Sequence, residues 1–160
     1  MKESIFDDFI IPSLGKCSIP SPINVSRFTP ESKRLLFNIY LDQYDEQRDP
    51  QGLPLSVEVA GPREKIFFDP SKTKAAIVTC GGLCPGINDV IRTIVMELHH
   101  RYGVANIIGI RYGFQGLIPK YRHPIVELTP DYVKEINTMG GSVLSSSRGR
   151  QDIGEMVNAL

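Results

Sequence analysis

The stretch Lys74–Arg92, KAAIVTCGGLCPGINDVIR, decides how this chain is read. A mostly apolar run meets Gly81-Gly82, Cys84-Pro85-Gly86 follows, and apolar residues then recur at helical spacing. AAIVTC (Ala75–Cys80) has the composition of a buried parallel strand. INDVIRTIVMELHHRYG carries Val90, Ile91, Ile94, Val95 and Leu98 along a helix that closes at Gly103. The glycines between strand and helix allow two readings. One is a sharp turn fixed by Pro85 and Gly86. The other is a backbone that must come close to a ligand, beside helix N–H groups and the positive end of the helix dipole, which together suit phosphate. The stretch matches neither the dinucleotide fingerprint nor the Walker A pattern, so its composition leaves the two readings level.

Downstream, strand and helix patterns alternate. ANIIGI (Ala105–Ile110) reads as a second buried strand, followed by the loop RYGFQGLIP. ELTPDYVKEINTMGG predicts a helix with Thr129 as N-cap, Pro130 at its first position and Gly140 past its end. IGEMVNAL begins another helix with Asp152 as cap. This order predicts an α/β fold, a Rossmann-like parallel sheet with helices on both faces. The chain halts inside a helical pattern, so a truncated domain is expected.

The region ahead of it differs. Residues 1–70 hold most of the prolines and little periodicity, and are expected to form an N-terminal extension or arm. Within it, Glu31–Tyr44 reads as a short helix with Thr29 as N-cap and Pro30 in its first turn, and SVEVA (Ser56–Ala60) as a strand. Residues 71–160 are then the first part of the α/β domain.

Charge and cysteine usage narrow the function. Lys+Arg and Asp+Glu number 18 each, which supports neither a nucleic-acid stripe nor an anionic-membrane surface. No apolar run approaches the roughly 18–20 residues that cross a bilayer, and MKESIFDDFIIPSLGK does not read as a secretory signal. Cys17, Cys80 and Cys84 are too few and too odd for a disulfide framework, so a reducing, cytoplasmic setting is expected. Cys80 and Cys84 lack the further ligands of a metal site and read as small buried thiols, and no metal ligand is assigned.

Two more loops carry chemistry. GGSVLSSSRG (Gly140–Gly149) sets a single arginine among serines and a glycine, after what the pattern predicts to be a strand end. Hydroxyls, amides and the forked Arg148 guanidinium suit phosphoryl oxygens, although a solvated surface arginine has the same composition. In YGFQGL (Tyr112–Leu117), Phe114 either stacks on a ring or caps the core beneath it. On a parallel sheet, three such loops project from one edge, where α/β folds bind ligands.

TCGGLCPGIND, IGIRYGFQGL and GGSVLSSSRG, in this order, resemble the N-terminal part of the phosphofructokinase family, most closely its long, ATP-dependent 6-phosphofructokinase subgroup. The likeness is close from the first strand onward and only general before it. It implies transfer of the γ-phosphoryl of ATP to the 1-hydroxyl of fructose 6-phosphate, with Mg2+, in a protein that is a homo-oligomer at full length. Carried over residue by residue, it makes Gly81 a backbone contact to the ATP phosphates, with Gly82 in the same turn. Phe114 takes the place of an aromatic beside the nucleotide. Arg148 reaches the phosphates and stabilises transition-state charge, and Gly149 lies beside it. Where the long members often have Pro-Gln-Asp after Ser-Arg-Gly, this chain has Arg150-Gln151-Asp152, which loosens the loop. The family's Gly-Gly-Asp-Gly loop and its Thr-Ile-Asp-Asn-Asp segment, which holds the general base, do not occur in the 160 residues. The isolated chain is therefore expected to be inactive. A pyrophosphate-dependent enzyme and a non-catalytic nucleotide-binding module stand as alternatives.

Overall fold

A computed structural model describes residues 11–40 and 52–159. The chain divides into two units, Met1–Phe68 and Asp69–Leu160. Among the described residues, no helix is long and apolar enough to cross a membrane.

The first unit is built from short antiparallel pairs. Strand β1 (Ile19–Pro20) pairs with β4 (Lys65–Ile66), and β2 (Arg34–Leu36) with β3 (Ser56–Glu58). The strand expected at Ser56 is present. The helix expected over Glu31–Tyr44 is not found in its described part, and residues 41–44 lie outside the described residues. Long-range pairing overrides the local helical pattern there. Arg34 donates from Nε to Ser56 Oγ (2.8 Å) and from Nη2 to the Ser56 carbonyl (2.7 Å). Arg63 donates to the carbonyls of Thr29 (2.9 Å), Pro30 (2.8 Å) and Val59 (2.7 Å). Thr29, expected as a helix cap, instead gives its N–H to the Pro62 carbonyl (2.8 Å).

The second unit carries the α/β pattern. Asp69 orders the turn before its first strand: its carboxylate accepts from the hydroxyl (2.7 Å) and amide (3.0 Å) of Ser71. These bonds, with Lys72 nearby, hold its pKa below the ordinary carboxylate value. Their contribution is present above that ordinary value and fades as pH falls through the lowered one.

Strand β5 (Lys74–Val78) leads through the glycine turn to helix α1 (Ile87–Met96). The helix continues as a π-helical turn over Glu97–Tyr102 and ends at Gly103, whose φ of 74° is the left-handed closing residue the sequence predicts. Strand β6 (Asn106–Ile110) then pairs parallel to β5, with Lys74 opposite Asn106 and Val78 opposite Ile110. A third strand, β7 (Ile125–Glu127), completes the order β5-β6-β7.

Two local expectations are corrected here. Strand β7 runs antiparallel to β6, with Ile110 opposite Ile125, so the sheet is mixed rather than parallel throughout. The chain between them makes only short 3-10 turns, at Gly113–Leu117 and Pro119–Tyr121, and a parallel return needs a longer crossover. The loop Gly140–Gly149 therefore does not leave a strand end; it follows a 3-10 turn at Ile136–Thr138. Thr129 does cap helix α2 (Pro130–Val133), accepting from the Tyr132 amide (3.1 Å). Asp152 caps helix α3 (Ile153–Ala159) through the Glu155 amide (2.7 Å).

One face of the sheet is packed by Ile91, Val95, Val104, Ile107, Leu128, Val133, Ile136 and Leu144, with Ala75 and Ile77 of β5 against them. Strand β5 alternates between half-buried and exposed residues and so is only half covered, against the expectation of a fully buried strand. The opposite face, with Ala76, Ile108 and Ile125, borders a cavity of about 390 Å³ that Ala159 of α3 reaches. Ile107 is fully buried at the centre of the packed face. Ile107→Ala should lower stability by about 2–5 kcal/mol, measured as a shift in the urea midpoint followed by circular dichroism.

Candidate nucleotide-phosphate site

Three loops meet beyond the carboxyl ends of β5 and β6. The first is the glycine turn, Thr79–Gly86. Gly81 adopts φ 82°, a left-handed conformation open to glycine and costly to other residues. A Cβ at Gly81 or Gly82 would meet nothing within 4 Å, so no neighbouring atom crowds either position. Gly86 precedes α1 with φ 86° and gives no side-chain cap, which leaves the first-turn amides of α1 unclaimed by a capping side chain. Asp89 in that first turn already offsets part of the helix dipole.

The second loop begins at Tyr112, whose N–H donates to the Leu144 carbonyl (2.8 Å). Gly113 sits where all three loops converge: a Cβ there would lie 2.8 Å from Ser147 Oγ, 3.1 Å from its amide nitrogen and 3.2 Å from Cys80 Sγ. Its glycine is demanded both by this crowding and by φ 58°. Phe114 follows on the 3-10 turn and is 45% exposed.

The third loop, Gly140–Gly149, is fastened through its first half. Asn88, only 3% exposed on α1, donates to the Met139 carbonyl (2.9 Å) and accepts from the Val143 amide (3.0 Å). Thr79, at the end of β5, meets Ser142 Oγ (3.0 Å) and donates to the Ser145 carbonyl (2.7 Å). From this anchorage the loop reaches the glycine turn. Ser146 Oγ donates to the Gly81 carbonyl, and the Gly81 amide donates to the Ser147 carbonyl over a long 3.4 Å. Arg148 and Gly149 come next, both exposed, with Arg148 free of an ion-pair partner among the described residues.

The structure thus brings the loops of Gly81, Gly82, Phe114, Arg148 and Gly149 to one place. Sequence reasoning missed Thr79, Asn88, Gly113, Ser142 and Ser145, which hold those loops. Asn88 did carry a signal, since it shares a helical face with Ile91 and Val95 yet is polar. Cys80 and Cys84 are exposed free thiols, not buried ones. Among the described residues, no three His, Cys, Asp or Glu groups converge as a metal cage.

A family model for phosphofructokinase matches residues 74–159, the span that contains all three loops. The chain belongs to the phosphofructokinase family. It is 46% identical over 162 aligned residues to an ATP-dependent 6-phosphofructokinase of Borreliella burgdorferi, covering 96% of this chain and 35% of that protein. An enzyme of the same name from Amycolatopsis methanolica is 44% identical with the same coverage. One from Entamoeba histolytica is 56% identical over 95 residues, covering 59% of this chain and 22% of its own length. The chain therefore spans about a third of the first two relatives, and their likeness extends into the unit before Asp69.

Gly113→Ala should cost about 1–3 kcal/mol through overpacking and backbone strain. It should also speed amide exchange at Gly81 and Tyr112, read by hydrogen-exchange mass spectrometry. Unchanged exchange at both would show that the loops do not depend on this close approach.

Proposed function

We propose that the chain supplies the nucleotide-phosphate half of a 6-phosphofructokinase active site, and that residues 71–160 are the first part of that catalytic domain. The observation that carries this is the direct hydrogen bonding of the Ser-Ser-Ser-Arg loop to Gly81. It brings the loop that carries the exposed Arg148 against the glycine turn at the sheet's carboxyl edge, which supports this reading.

The reaction moves the γ-phosphoryl group from ATP to the 1-hydroxyl oxygen of fructose 6-phosphate. A new P–O bond forms to that oxygen, the bond to the β–γ bridging oxygen breaks, and ADP leaves. Such transfer rests on positioning and charge stabilisation. Arg148 supplies a permanent forked cation for the phosphoryl oxygens. The 3.4 Å bond from Gly81 N–H to Ser147 is weak, and exchanging it for an anionic oxygen is favourable. Neutral hydrogen bonds contribute about 0.5–1.5 kcal/mol and charged ones about 1.5–3. The exposed Phe114 ring offers a stacking face for the nucleotide, and Gly149, at φ 96° with nothing near its Cβ position, leaves the loop open beside it. The hydroxyl proton goes to a base that the family pattern places outside these motifs. Mg2+ would accompany ATP as its complex, and the protein is placed in the cytoplasm, in keeping with its free cysteines.

Assays with ATP and with pyrophosphate should give fructose 1,6-bisphosphate from ATP only, in a protein of the relatives' length that carries these residues. The 160-residue chain by itself should give none. Transfer from pyrophosphate alone would overturn the assignment of donor. In the active protein, Arg148→Ala should lower kcat by about 10²–10³, with the KM for fructose 6-phosphate nearly unchanged. A variant altered only in that KM would place Arg148 on the sugar side.

A further inference from the structure

Thr79 stands two residues before Gly81 and touches the loop that carries Arg148. The directions of its hydrogen bonds follow from chemistry. The Leu144 amide can only donate, and it donates to Ser142 Oγ (3.2 Å). The Ser145 carbonyl can only accept, and it accepts from Thr79 Oγ1 (2.7 Å). The remaining contact, 3.0 Å between the two hydroxyls, must then run from Ser142 Oγ–H to Thr79 Oγ1. A single directed chain results, from the Leu144 N–H through Ser142 and Thr79 to the Ser145 carbonyl.

That chain ends on a strained residue. Ser145 has φ 59°, a left-handed conformation that is unfavourable for a non-glycine residue. It persists where neighbours over-determine it, and Thr79 Oγ1 on its carbonyl together with the Ser145 amide on the Ser142 carbonyl (2.9 Å) does so. Ser146, Ser147 and Arg148 follow directly, so the turn at Ser145 sets where all three point.

We propose that Thr79 is a positioning residue for phosphoryl transfer: its hydroxyl holds Ser145 in the turn that aims Arg148 and fastens Ser146 and Ser147 to Gly81. The role rests on the proposed phosphofructokinase reading. Thr79 does not touch the nucleotide; it acts through Arg148 and through the serines bound to Gly81. Without the hydroxyl, the Ser145 carbonyl loses its partner and the residue relaxes toward the extended region. A displacement of about 1 Å at a reacting group costs on the order of a hundredfold in rate.

The test compares Thr79→Val, which keeps the shape and removes the hydroxyl, with Thr79→Ser, which keeps the hydroxyl, in an ATP-using protein of the relatives' length. Thr79→Val should lower kcat about ten- to a hundredfold, with the KM for fructose 6-phosphate within about twofold. Thr79→Ser should stay within about threefold of the parent. Added to Arg148→Ala, Thr79→Val should cost clearly less than its loss as a single variant, because much of its effect passes through that arginine. Equal kcat for the Val and Ser variants, or additive losses in the double variant, would overturn the role. Should Thr79→Val fail to fold, Ser142→Ala carries the test: a kcat loss of about three- to tenfold supports the directed chain, and an unchanged kcat overturns it. A parent protein that transfers nothing from ATP would instead refute the phosphofructokinase reading, and this role with it.

Discussion

The amide of Asn88 holds the second unit in register. It is buried on the core face of α1, where an unpaired amide would cost about 1–3 kcal/mol for each group left unsatisfied. Both its ends are used, Nδ2 toward the Met139 carbonyl and Oδ1 toward the Val143 amide. Only one placement of the segment after α2 satisfies both, so a polar residue specifies what apolar packing alone would leave free to slide. Leu144, fully buried, is set by that register, and its backbone in turn receives the Tyr112 amide from the loop after β6. Helix, sheet edge and serine loop are therefore tied through one side chain.

What was legible in the sequence was what short-range chemistry decides. Helix α1 follows from its apolar spacing, Gly103 from the need for a left-handed closing residue, and Thr129 and Asp152 from the oxygen each offers to helix amides. The glycine-bearing loops were visible as loops, and the order of their motifs pointed to the family that the whole span from 74 to 159 matches. What was not legible depends on partners far along the chain. Residues 34–36 carry a helix-compatible pattern, yet pair with 56–58, and Arg63 collects carbonyls of the preceding turn. The direction of β7 is set by how little regular structure lies between it and β6. The bonds of Thr79 span more than sixty positions of sequence, and no local signal marks them.

The loops differ in how firmly each part is held. Around Thr79 and Asn88 the bonds run from 2.7 to 3.0 Å, anchored on a strand end and a helix. Gly113 lets the second loop press against Ser147 and Cys80 without an intervening Cβ. Farther out, Arg148 and Gly149 are exposed, and among the described residues the Gly81 amide is tied by a bond 3.4 Å long. The frame of the three loops is thus held while their outermost donors stay exchangeable.

The two ties at Gly81 also differ in consequence. The Ser146 hydroxyl binds the Gly81 carbonyl, which belongs to the same peptide group as the Gly82 amide. In a trans peptide the N–H points away from the C=O, so the Gly82 N–H is directed away from Ser146. A hydrogen bond on the carbonyl polarises the peptide and strengthens its N–H as a donor. The serine loop therefore does more than position an arginine. It sharpens the donor on the far side of the glycine pair, where neither a side chain at Gly82 nor a neighbouring atom crowds the approach. The exposed Arg148 on one loop and a polarised amide on another are thus linked through the serine between them.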